Sequence, residues 1–502
     1  MRGDNSFVTE VRKKVFTEVA RLAYEGGDYS RIEEIPYKIV PGEIASHRES
    51  IFLERAIAGE RVRLAMGLPM RPVYEHKPLS DGVNDSAIAE KYYDPPLINI
   101  INYACNACPS KQVRVTELCQ GCLSRSCKHA CPKDAVSFHP HGQSIIDQEK
   151  CIRCGKCVDA CPYHAIVKID RPCAVACGMD AIGSDEHGRA KIDYDRCVSC
   201  GQCLVNCPFG AIVDKGQIFQ LIHAMKKGYK VYAIVAPAFV GQFGDYLTPE
   251  KLTAAMKILG FESVVEVAVG ADLCTLDEAK EYLERIPGKD TYMGTSCCPA
   301  WISMVDICFP DQVDHISMTL TPMVLTARMV KKEHPDAKVC FVGPCAAKKL
   351  EASRPHIRSD VDFVLTFEEL QGMFEAKDVW YSDVEGNDPL DKASADGRGF
   401  AVSGGVAAAV KNAVKEIAPD VEMKIMGAEG LRECRKMMSL AKAGKLNGCL
   451  LEGMACPGGC VAGAGTIRPI KKAASLVEQY KKEAPLTSPS QSPFADMIDM
   501  LD

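Results

Sequence analysis

Sixteen cysteines fall between residues 99 and 212, and they recur in a fixed phrase. The phrase reads CPKDAV at 131–136, CPYHAI at 161–166, CGMDAI at 177–182 and CPFGAI at 207–212. The first two copies begin 30 residues apart, and so do the last two. This spacing predicts two tandem copies of one unit, each with two thiol-bound centres. A chain with such a repeat is expected to fold around its cysteines.

Residues 151–161 and 197–207 both read C-x-x-C-x-x-C-x-x-x-C and are followed by proline. In this bacterial ferredoxin run, the first three thiolates bind one [4Fe–4S] cluster and the fourth binds the neighbouring cluster. The exchange predicts three ligand sets. They are Cys151, Cys154 and Cys157 with Cys131; Cys119, Cys122 and Cys127 with Cys161; and Cys197, Cys200 and Cys203 with Cys177.

Four of the sixteen thiols are left over. Cys173 and Cys207 have no partners, and Cys105 and Cys108 form a C-x-x-C pair outside the repeat. We expect this pair to fold back and complete a fourth cluster. Residues 99–215 would then be a tandem ferredoxin-like α+β domain with four accessory [4Fe–4S] clusters, forming an electron relay. Zinc sites also use C-x-x-C pairs, but the repeated four-cysteine run favours iron–sulfur clusters.

The rest of the composition limits where the protein works and what it binds. The chain has 26 Cys among 502 residues, and its N-terminus has no apolar leader segment. Clustered C-x-x-C pairs in such a chain indicate metal ligation in a reducing, cytoplasmic compartment rather than disulfides. The net charge of −6 argues against nucleic acid or an anionic membrane surface as partner. We find no run of about 18 apolar residues that would predict a membrane span.

The segments on either side of the cysteine repeat have different patterns. Residues 1–98 have helical spacing at 11–25 and 47–68, which predicts a small helical region with a packing role. Residues 229–485 alternate strand-like and helix-like segments, which predicts an α/β catalytic domain with mainly parallel sheets. The strand-like segments are 230–237, 263–269, 337–343, 361–366, 421–427 and 448–454, and the helical ones are 276–286, 319–333, 403–417 and 429–443. Residues 486–502 are expected to form a mobile tail.

Three further cysteine phrases follow strand-like segments of the α/β region. They read TSCCPAW at 295–301, GPCAAK at 343–348 and EGMACPGGC at 452–460. The carboxyl ends of parallel strands are where α/β sheets place their sites. Four thiolates from these phrases could hold one more cubane cluster. The four are Cys298, Cys345, Cys456 and Cys460. Cys297 is left as a spare thiol beside a ligand, which indicates chemistry rather than electron storage.

Together the three phrases resemble the signature motifs of the [FeFe]-hydrogenases, in the same order and behind a ferredoxin-like region, over about residues 99–485. The resemblance implies an H-cluster. In this cofactor a [4Fe–4S] cubane is joined through one cysteine to a di-iron unit that carries CO, CN⁻ and an azadithiolate bridge. The four cysteines named above would be the cubane ligands, with Cys460 as the bridging thiolate.

The resemblance also implies the reaction and its partners. The reaction is the reversible interconversion of H2 with two protons and two electrons. Ferredoxin or a similar small carrier would exchange the electrons. Dedicated maturation proteins would make the di-iron unit.

The same resemblance assigns residues around the di-iron unit. Lys348 would donate a charge-assisted hydrogen bond to an anionic cyanide ligand. Ala236, Pro237 and Ala238 would form a wall of small residues, and Met454 would lie over the unit as a soft, polarizable contact. An ordinary surface lysine is the alternative for Lys348, and its place inside a motif disfavours that alternative.

A buried centre that handles hydrogen needs a route for protons. In the resemblance, Cys297 is the first group of that route. Glu278, Glu281 and Arg285 lie at i, i+3 and i+7 of a predicted helix and share one face, and they match the two glutamates and the terminal arginine of the relay. Ser317 matches the intervening hydroxyl. On spacing alone, this helix would more often be a solvated, salt-paired face.

Three positions depart from the best-known members of the family. Gly343 replaces a methionine, Met323 replaces a polar amide, and the third motif continues through Thr466 rather than as Gly-Gly-Gly-Gln-Pro. These changes resemble the divergent branch called group B. They leave the implied reaction unchanged, and they leave direction, rate and oxygen tolerance open.

Two other functions could be built on the same core. A hydrogen or redox sensor is expected to alter the relay cysteine and to append signalling domains, whereas Cys297 is present and we see no such domain after residue 485. An iron–sulfur scaffold of the eukaryotic assembly type would bind cubanes only, and it would lack the full Cys-Cys and Lys signatures kept here. The sequence therefore favours the enzyme.

Overall fold

The computed structural model describes residues 6–92, 94–286, 288–386 and 388–501. The N-terminal helices are α1 (Phe7–Glu25), α2 (Ile35–Ile39), α3 (Ile51–Ala65) and α4 (Val83–Ser86). Ser6 caps α1, because its hydroxyl accepts a hydrogen bond from the Thr9 amide, a donor that lacks a partner within the helix. Val11, Val15 and Phe16 form a buried face of α1 that joins the core of the α/β region. The helices predicted within 11–25 and 47–68 are confirmed as α1 and α3.

The cysteine-rich region contains eight short strands in four two-stranded antiparallel sheets. The strands are β1 (Ile98–Ile100), β2 (Gln112–Val115), β3 (Val136–Phe138), β4 (Ser144–Ile146), β5 (Ile166–Ile169), β6 (Ile182–Ser184), β7 (Ala190–Ile192) and β8 (Ile212–Asp214). The single-turn helices are α5 (Ser126–His129), α6 (Lys156–Asp159), α7 (Pro172–Ala176) and α8 (Gln202–Val205). β3 pairs with β4, β6 with β7, β2 with β5 and β1 with β8. The β1–β8 pair joins the two ends of the region.

The described residues of the α/β region form two parallel sheets. One has the strand order β10 (Ser263–Glu266), β9 (Val231–Val235), β12 (Lys338–Gly343), β13 (Phe363–Thr366), and the other has the order β11 (Met293–Gly294), β15 (Cys449–Met454), β14 (Lys424–Glu429). The helices are α9 (Ile218–Lys226), α10 (Pro249–Ile258), α11 (Val267–Arg285), α12 (Pro299–Cys308), α13 (Pro322–Glu333), α14 (Ala347–Glu351), α15 (Phe367–Ala376), α16 (Ala395–Gly399), α17 (Gly405–Ile417), α18 (Leu431–Lys442) and α19 (Ile470–Lys482). The predicted mixture of helices and parallel sheets is confirmed.

Both sheets direct their loops toward one place. In the first sheet, β9 ends at Val235 and β12 ends at Gly343, directly before Ala236 and the PCAAK segment. In the second sheet, β11 ends at Gly294, directly before the first cysteine phrase, and β15 ends at Met454, two residues before Cys456 of the third phrase. The carboxyl ends of parallel strands lie at one edge of a sheet, so the two edges can enclose a site between them.

Two predictions about the chain were wrong. The sequence predicts one strand over 263–269, whereas β10 ends at Glu266 and α11 begins at Val267. A short apolar run suits a buried strand and the first turn of a buried helix equally well. The sequence also predicts a mobile tail, whereas Ile498 and Leu501 are buried and Arg328 donates a hydrogen bond to the Leu501 carbonyl at 2.6 Å. Within the described ranges, no helix has the length and apolar character needed to cross a bilayer.

Candidate metal centre

A cavity of about 90 Å³ lies where the loops of the two sheets meet. The four predicted thiols line it together: Cys298, Cys345, Cys456 and Cys460. Burial raises the pKa of Cys345 and of Cys460 to about 12, and neighbouring thiols add to the shift because thiolates repel one another. Four charged thiolates are therefore costly here without a cation, whereas bound iron would neutralise them. The donor set fits an iron–sulfur cluster.

A single zinc ion and a cubane cluster need different spacings of their ligands. Among the residues that the structure describes, no three Cys, His, Asp or Glu side chains form a group that could ligate one metal ion. A tetrahedral zinc site needs its four ligands around one point. In a cubane each thiolate binds a different iron, so the ligands stand further apart.

Lys348 extends from α14 into the same cavity. Its Nζ lies 2.7 Å from Glu351 Oε2 and donates to Thr321 Oγ1 at 3.2 Å. Burial lowers the pKa of Lys348, but Glu351 and the thiols Cys345 and Cys297 raise it, and the net shift is upward. An ammonium group has three donors. Lys348 is therefore a fixed buried cation that can still donate to an anion in the cavity.

Small and soft side chains close the other sides of the cavity. They include Ala236, Pro237, Ala238, Met323 and Met454. A Cβ placed on Gly343 would lie 2.5 Å from the Phe341 ring and 3.2 Å from the Ala236 Cβ. The packing of Phe341 therefore explains why this chain has glycine at a position where its resemblance leads one to expect methionine.

Cys297 lines the cavity, and Glu278 lies close to it on α11. Glu278 is fully buried, and its Oε1 accepts a hydrogen bond from the Ser296 amide at 2.7 Å. Burial raises the pKa of Glu278 to about 7, with a smaller contribution from Glu281. Burial and the nearby Glu278 also raise the pKa of Cys297. A carboxyl that titrates near neutrality can both take up and release a proton at physiological pH.

The outer relay residues form a connected network. Ser317 donates to Glu281 Oε2, and Arg285 donates to Glu281 Oε1 at 2.5 Å. Arg285 is also held by Asp290, to which its Nε donates at 2.7 Å. Glu278 Oε2 has no hydrogen-bond partner among the described residues. The structure thus brings the predicted residues together in two groups. The inner group is Cys297 with Glu278, and the outer group is the network around Glu281. Glu278 Oε2 makes no direct hydrogen bond to that network.

Several residues that shape the loops were missed in the sequence. Glu452 accepts hydrogen bonds from the Gly404 and Ala407 amides at 2.8 and 2.9 Å, which ties the third phrase to the start of α17. A Cβ on Gly453 would lie 2.1 Å from the Trp301 ring, so the first and third phrases pack face to face. Glu452, Gly453 and Trp301 all lie inside the cysteine phrases, and this position was the only sign in the sequence that they matter for the site.

The four C-x-x-C pairs at which the relay ligand sets begin share one local conformation. The residue two positions after the first cysteine has a left-handed φ each time: Ala107 (45°), Gly121 (61°), Arg153 (60°) and Ser199 (54°). The fourth residue of every repeated phrase also does: Asp134 (46°), His164 (51°), Asp180 (52°) and Gly210 (57°). The next amide then reaches the sulfur, since Ala135 donates to Cys131 Sγ at 3.3 Å and Ala211 to Cys207 Sγ at 3.4 Å. The pair at 105–108 therefore has the geometry of the other three.

Two of the four expected sets of relay thiols line cavities of their own, and members of the other two sets pack in one apolar cluster. One small cavity is lined by Cys105, Cys108, Cys173 and Cys207, and another by Cys177, Cys197, Cys200 and Cys203. Burial raises the pKa of Cys157, and Cys151, Cys131 and Cys154 add to the shift. The Ser144 amide donates to Cys119 Sγ at 3.5 Å, and its hydroxyl lies 3.3 Å from Cys127 Sγ. Cys122 lies near Cys119, and Cys161 packs in the same cluster as Cys127.

Comparison with known families gives matches in both regions. Residues 229–464 match the family model described as "Iron only hydrogenase large subunit, C-terminal domain". Residues 144–167 and 189–212 each match a model described as "4Fe-4S binding domain".

Individual relatives have two kinds of name. Iron hydrogenase 1 of Clostridium pasteurianum is 26% identical over 436 residues, covering 76% of this chain and 76% of the relative. The cytosolic Fe-S cluster assembly factor narfl of Danio rerio is 27% identical over 313 residues, covering 51% of this chain and 76% of the relative. A solved structure of an apo [FeFe]-hydrogenase variant from Chlamydomonas reinhardtii matches 54% of this chain and 89% of its own, with a TM-score of 0.46 and 23% identity. The iron-only hydrogenase and 4Fe-4S matches together support a divergent [FeFe]-hydrogenase-like family for this chain.

Proposed function

We propose that this protein is an iron hydrogenase that interconverts H2 with protons and electrons at a [4Fe–4S]-linked di-iron site. The observation that carries the proposal is that Cys297, Lys348 and Met454 line the same cavity as the four thiols. A cubane alone needs only the thiols. A buried cation with a free donor suits an additional anionic group, and a spare thiol suits proton delivery. When bound, the di-iron unit would supply the metal at which H2 is split or formed.

The chain's own residues would hold and enclose that unit. Cys298, Cys345 and Cys456 would ligate the cubane, and Cys460 would bridge the two parts. Lys348, fixed by Glu351 and Thr321, would donate to a cyanide ligand. The wall formed by residues 236–238 and by Met454 would exclude water, which strengthens every polar contact inside.

Protons would move between the cavity and solvent by way of Cys297, Glu278, Ser317 and Glu281. Glu278 is suited to this task because burial raises its pKa to about 7. Since Glu278 Oε2 lacks a described partner, a water molecule or a rotation of the side chain would link it to Ser317. Arg285 ends the relay by orienting Glu281, because a guanidinium group does not lose its proton in proteins.

Electrons would reach the centre through residues 99–215, as a tandem ferredoxin-like domain with four accessory [4Fe–4S] clusters. Cys154 is exposed, which would place one cluster at the surface for ferredoxin or a similar carrier. Cys200 of another set lies near Cys345 of the central four. In this proposal residues 1–98 support the catalytic domain at 229–485, residues 486–502 form a C-terminal segment, and the protein works in the cytoplasm, where maturation proteins supply the di-iron unit.

Infrared spectroscopy tests the proposal. The full chain, produced together with the maturation proteins, should show CO and CN⁻ bands and should evolve H2 from a reduced viologen. The Cys345→Ser variant is the control, and it should lack the bands because one cubane ligand is removed. Absence of the bands from natural protein matured beside an active reference hydrogenase would overturn the proposal.

A second candidate is iron–sulfur cluster assembly, because one relative is named as a cytosolic assembly factor. This function would need cubanes and no di-iron unit. It predicts transfer of a cluster to a cluster-free acceptor protein without infrared bands, and it gives no role to Cys297 or Glu278. The position of Cys297 on the cavity wall beside a buried Glu278 favours the enzyme.

A further inference from the structure

A loop of the relay region is seated directly on the candidate metal centre. Cys200 lines both the central cavity and the cavity of its own relay set. The next residue, Gly201, has a φ of 75°, and a Cβ there would lie 2.5 Å from the Ala464 Cβ and 3.3 Å from the Ala346 Cβ. Glycine therefore permits both the turn and the close approach. Ala346 directly follows Cys345, and Ala464 lies four residues after Cys460, so this loop meets the second central phrase and the segment that follows the third.

The side chain of Gln202 crosses this contact. Its Nε2 lies 3.0 Å from Cys456 Sγ and 3.4 Å from the Ala462 carbonyl oxygen, and the residue is 7% exposed. A primary amide has two N–H donors, one for each of these acceptors. If the amide group of Gln202 were rotated by 180°, Oε1 would face two acceptors. The surroundings therefore fix Nε2, the donor, on the side of the Cys456 sulfur.

We propose that Gln202 sets the reduction potential of the cubane bound by Cys456 and matches that potential to the relay. This inference rests on the proposed ligation of a cubane by Cys456 and not on hydrogen turnover. The hydrogen bond is charge-assisted, because its acceptor is a thiolate. One-electron reduction adds a negative charge that is shared by the ligand sulfurs, so the donor stabilises the reduced cluster more than the oxidised one. The relay cluster bound by Cys200 supplies that electron and is itself oxidised by one electron.

A redox titration of the full-length protein with its [4Fe–4S] clusters, followed by electron paramagnetic resonance, tests the inference. Gln202→Met removes both donors at similar volume. We expect it to lower the reduced-to-oxidised ratio of one cluster about tenfold at a fixed potential, which is about 59 mV for a one-electron couple. Gln202→His keeps an N–H donor and should stay within about threefold of the natural protein. Iron content should not change in either variant.

Gln148→Met is the matched control. Gln148 also lies in the relay region, but its Nε2 donates to the backbone carbonyls of Val113 and Ile146 at 2.7 and 3.3 Å. No cluster potential should shift in this variant. An unchanged potential in Gln202→Met, or an equal shift in the control, would overturn the inference.

Two further provisions keep the result decisive. If Gln202→Met loses iron, Gln202→Glu is used in its place, because glutamate keeps the shape of glutamine and presents an acceptor to the sulfur. We then expect the same decrease in the reduced-to-oxidised ratio. An unchanged ratio in Gln202→Glu would count against the inference. The titration needs cubanes only. It therefore remains valid in protein without infrared bands, and it separates failure of this inference from failure of the proposed function.

Discussion

Burial sets the chemistry of single side chains at the candidate site. The thiols of Cys345 and Cys460 have pKa values raised to about 12, so they favour the thiolate form only when a cation joins them. Burial also raises the pKa of Glu278 to about 7, so this carboxyl group can carry a proton near neutral pH. Lys348 keeps its charge because Glu351 lies beside it. The same apolar surroundings therefore affect thiols, a carboxyl group and an ammonium group differently. The neighbouring charges and donors determine the protonation state of each.

Replacement of Cys297 by alanine is expected to separate proton delivery from cofactor binding. Cys297→Ala should lower H2 turnover at least about 100-fold, because a positioned acid–base group is lost, and it should leave the CO and CN⁻ bands in place. Cys308→Ala is the control, since Cys308 ends α12 and is absent from the cavity lining. Turnover near the natural value in Cys297→Ala would show that the relay starts elsewhere.

Glu278 should also leave a mark on the pH dependence of stability. Its pKa is about 7 in the folded protein and 4.5 as the ordinary value, so the folded state holds the proton more tightly. The contribution of Glu278 to the free energy of unfolding is therefore complete below about pH 4.5, and it is lost as pH rises through about 7. Glu278→Gln should remove this loss, up to roughly 3 kcal/mol, and flatten the unfolding free energy across that window.

Denaturant unfolding at several pH values measures this difference between variant and natural protein. The comparison is made as a difference because Glu266 and Asp272 are also buried and titrate near 7. Glu284→Gln, at an exposed position of the same helix, should leave the curve unchanged. A parallel pair of curves for Glu278→Gln and natural protein would contradict the assignment.

At the scale of elements, the β1–β8 pair explains how an isolated C-x-x-C finds its partners. β1 lies shortly before Cys105, and β8 lies shortly after Cys207. Antiparallel pairing sets Ile100 opposite Ile212, which brings both cysteines to the same end of the ladder. The fourth ligand set is thus assembled by two short strands rather than by a continuous motif.

Cys105→Ser should remove one cubane. Iron analysis of purified protein should show a loss of about four iron atoms per chain, because the other three thiols cannot complete the same four-thiolate site. Cys449→Ser removes a thiol outside every proposed set and should leave the iron content unchanged. An equal iron content in Cys105→Ser and natural protein would refute the fold-back ligation.

Much of the architecture could be predicted because its signals are local in the sequence. Strands β12 and β15 and the carboxyl end of the helix with Glu278 and Glu281 follow from periodicity, and they lie within one residue of the expected bounds. The short strand β11 before the first cysteine phrase was not predicted. The contact from Gln202 to Cys456 could not be predicted, because it joins residues that periodicity and spacing do not relate. The end of β10 at Glu266 was also beyond reach, because the apolar pattern continues unbroken into α11.

Across the whole molecule, a buried charge network joins three regions of the chain. Lys349 Nζ donates to Asp214 at 2.8 Å and to Glu369 at 3.0 Å, while Arg12 of α1 donates to Glu368 at 2.5 Å. Asp214 ends strand β8 of the relay region, and the glutamates belong to α15. A buried ion pair adds little net stability while it is intact, but removal of one partner is costly.

Lys349→Met should therefore destabilise the protein by roughly 3 to 5 kcal/mol, because two buried carboxylates lose their cation. The midpoint of thermal unfolding measures the effect, with Lys332→Met at an exposed position of α13 as control. A shift no larger than that of the control would show that the network does not hold the regions together.

The enclosure of the central thiols by both parallel sheets has a consequence for the lifetime of the protein. Cys345 follows a strand of one sheet, whereas Cys298 and Cys456 follow strands of the other. A cluster at this point would act as a cross-link between the two halves, so metallation and folding would share one equilibrium. Any agent that removes iron from the cluster would then destabilise the whole fold. Molecules that lose their cluster would unfold and be degraded by proteases.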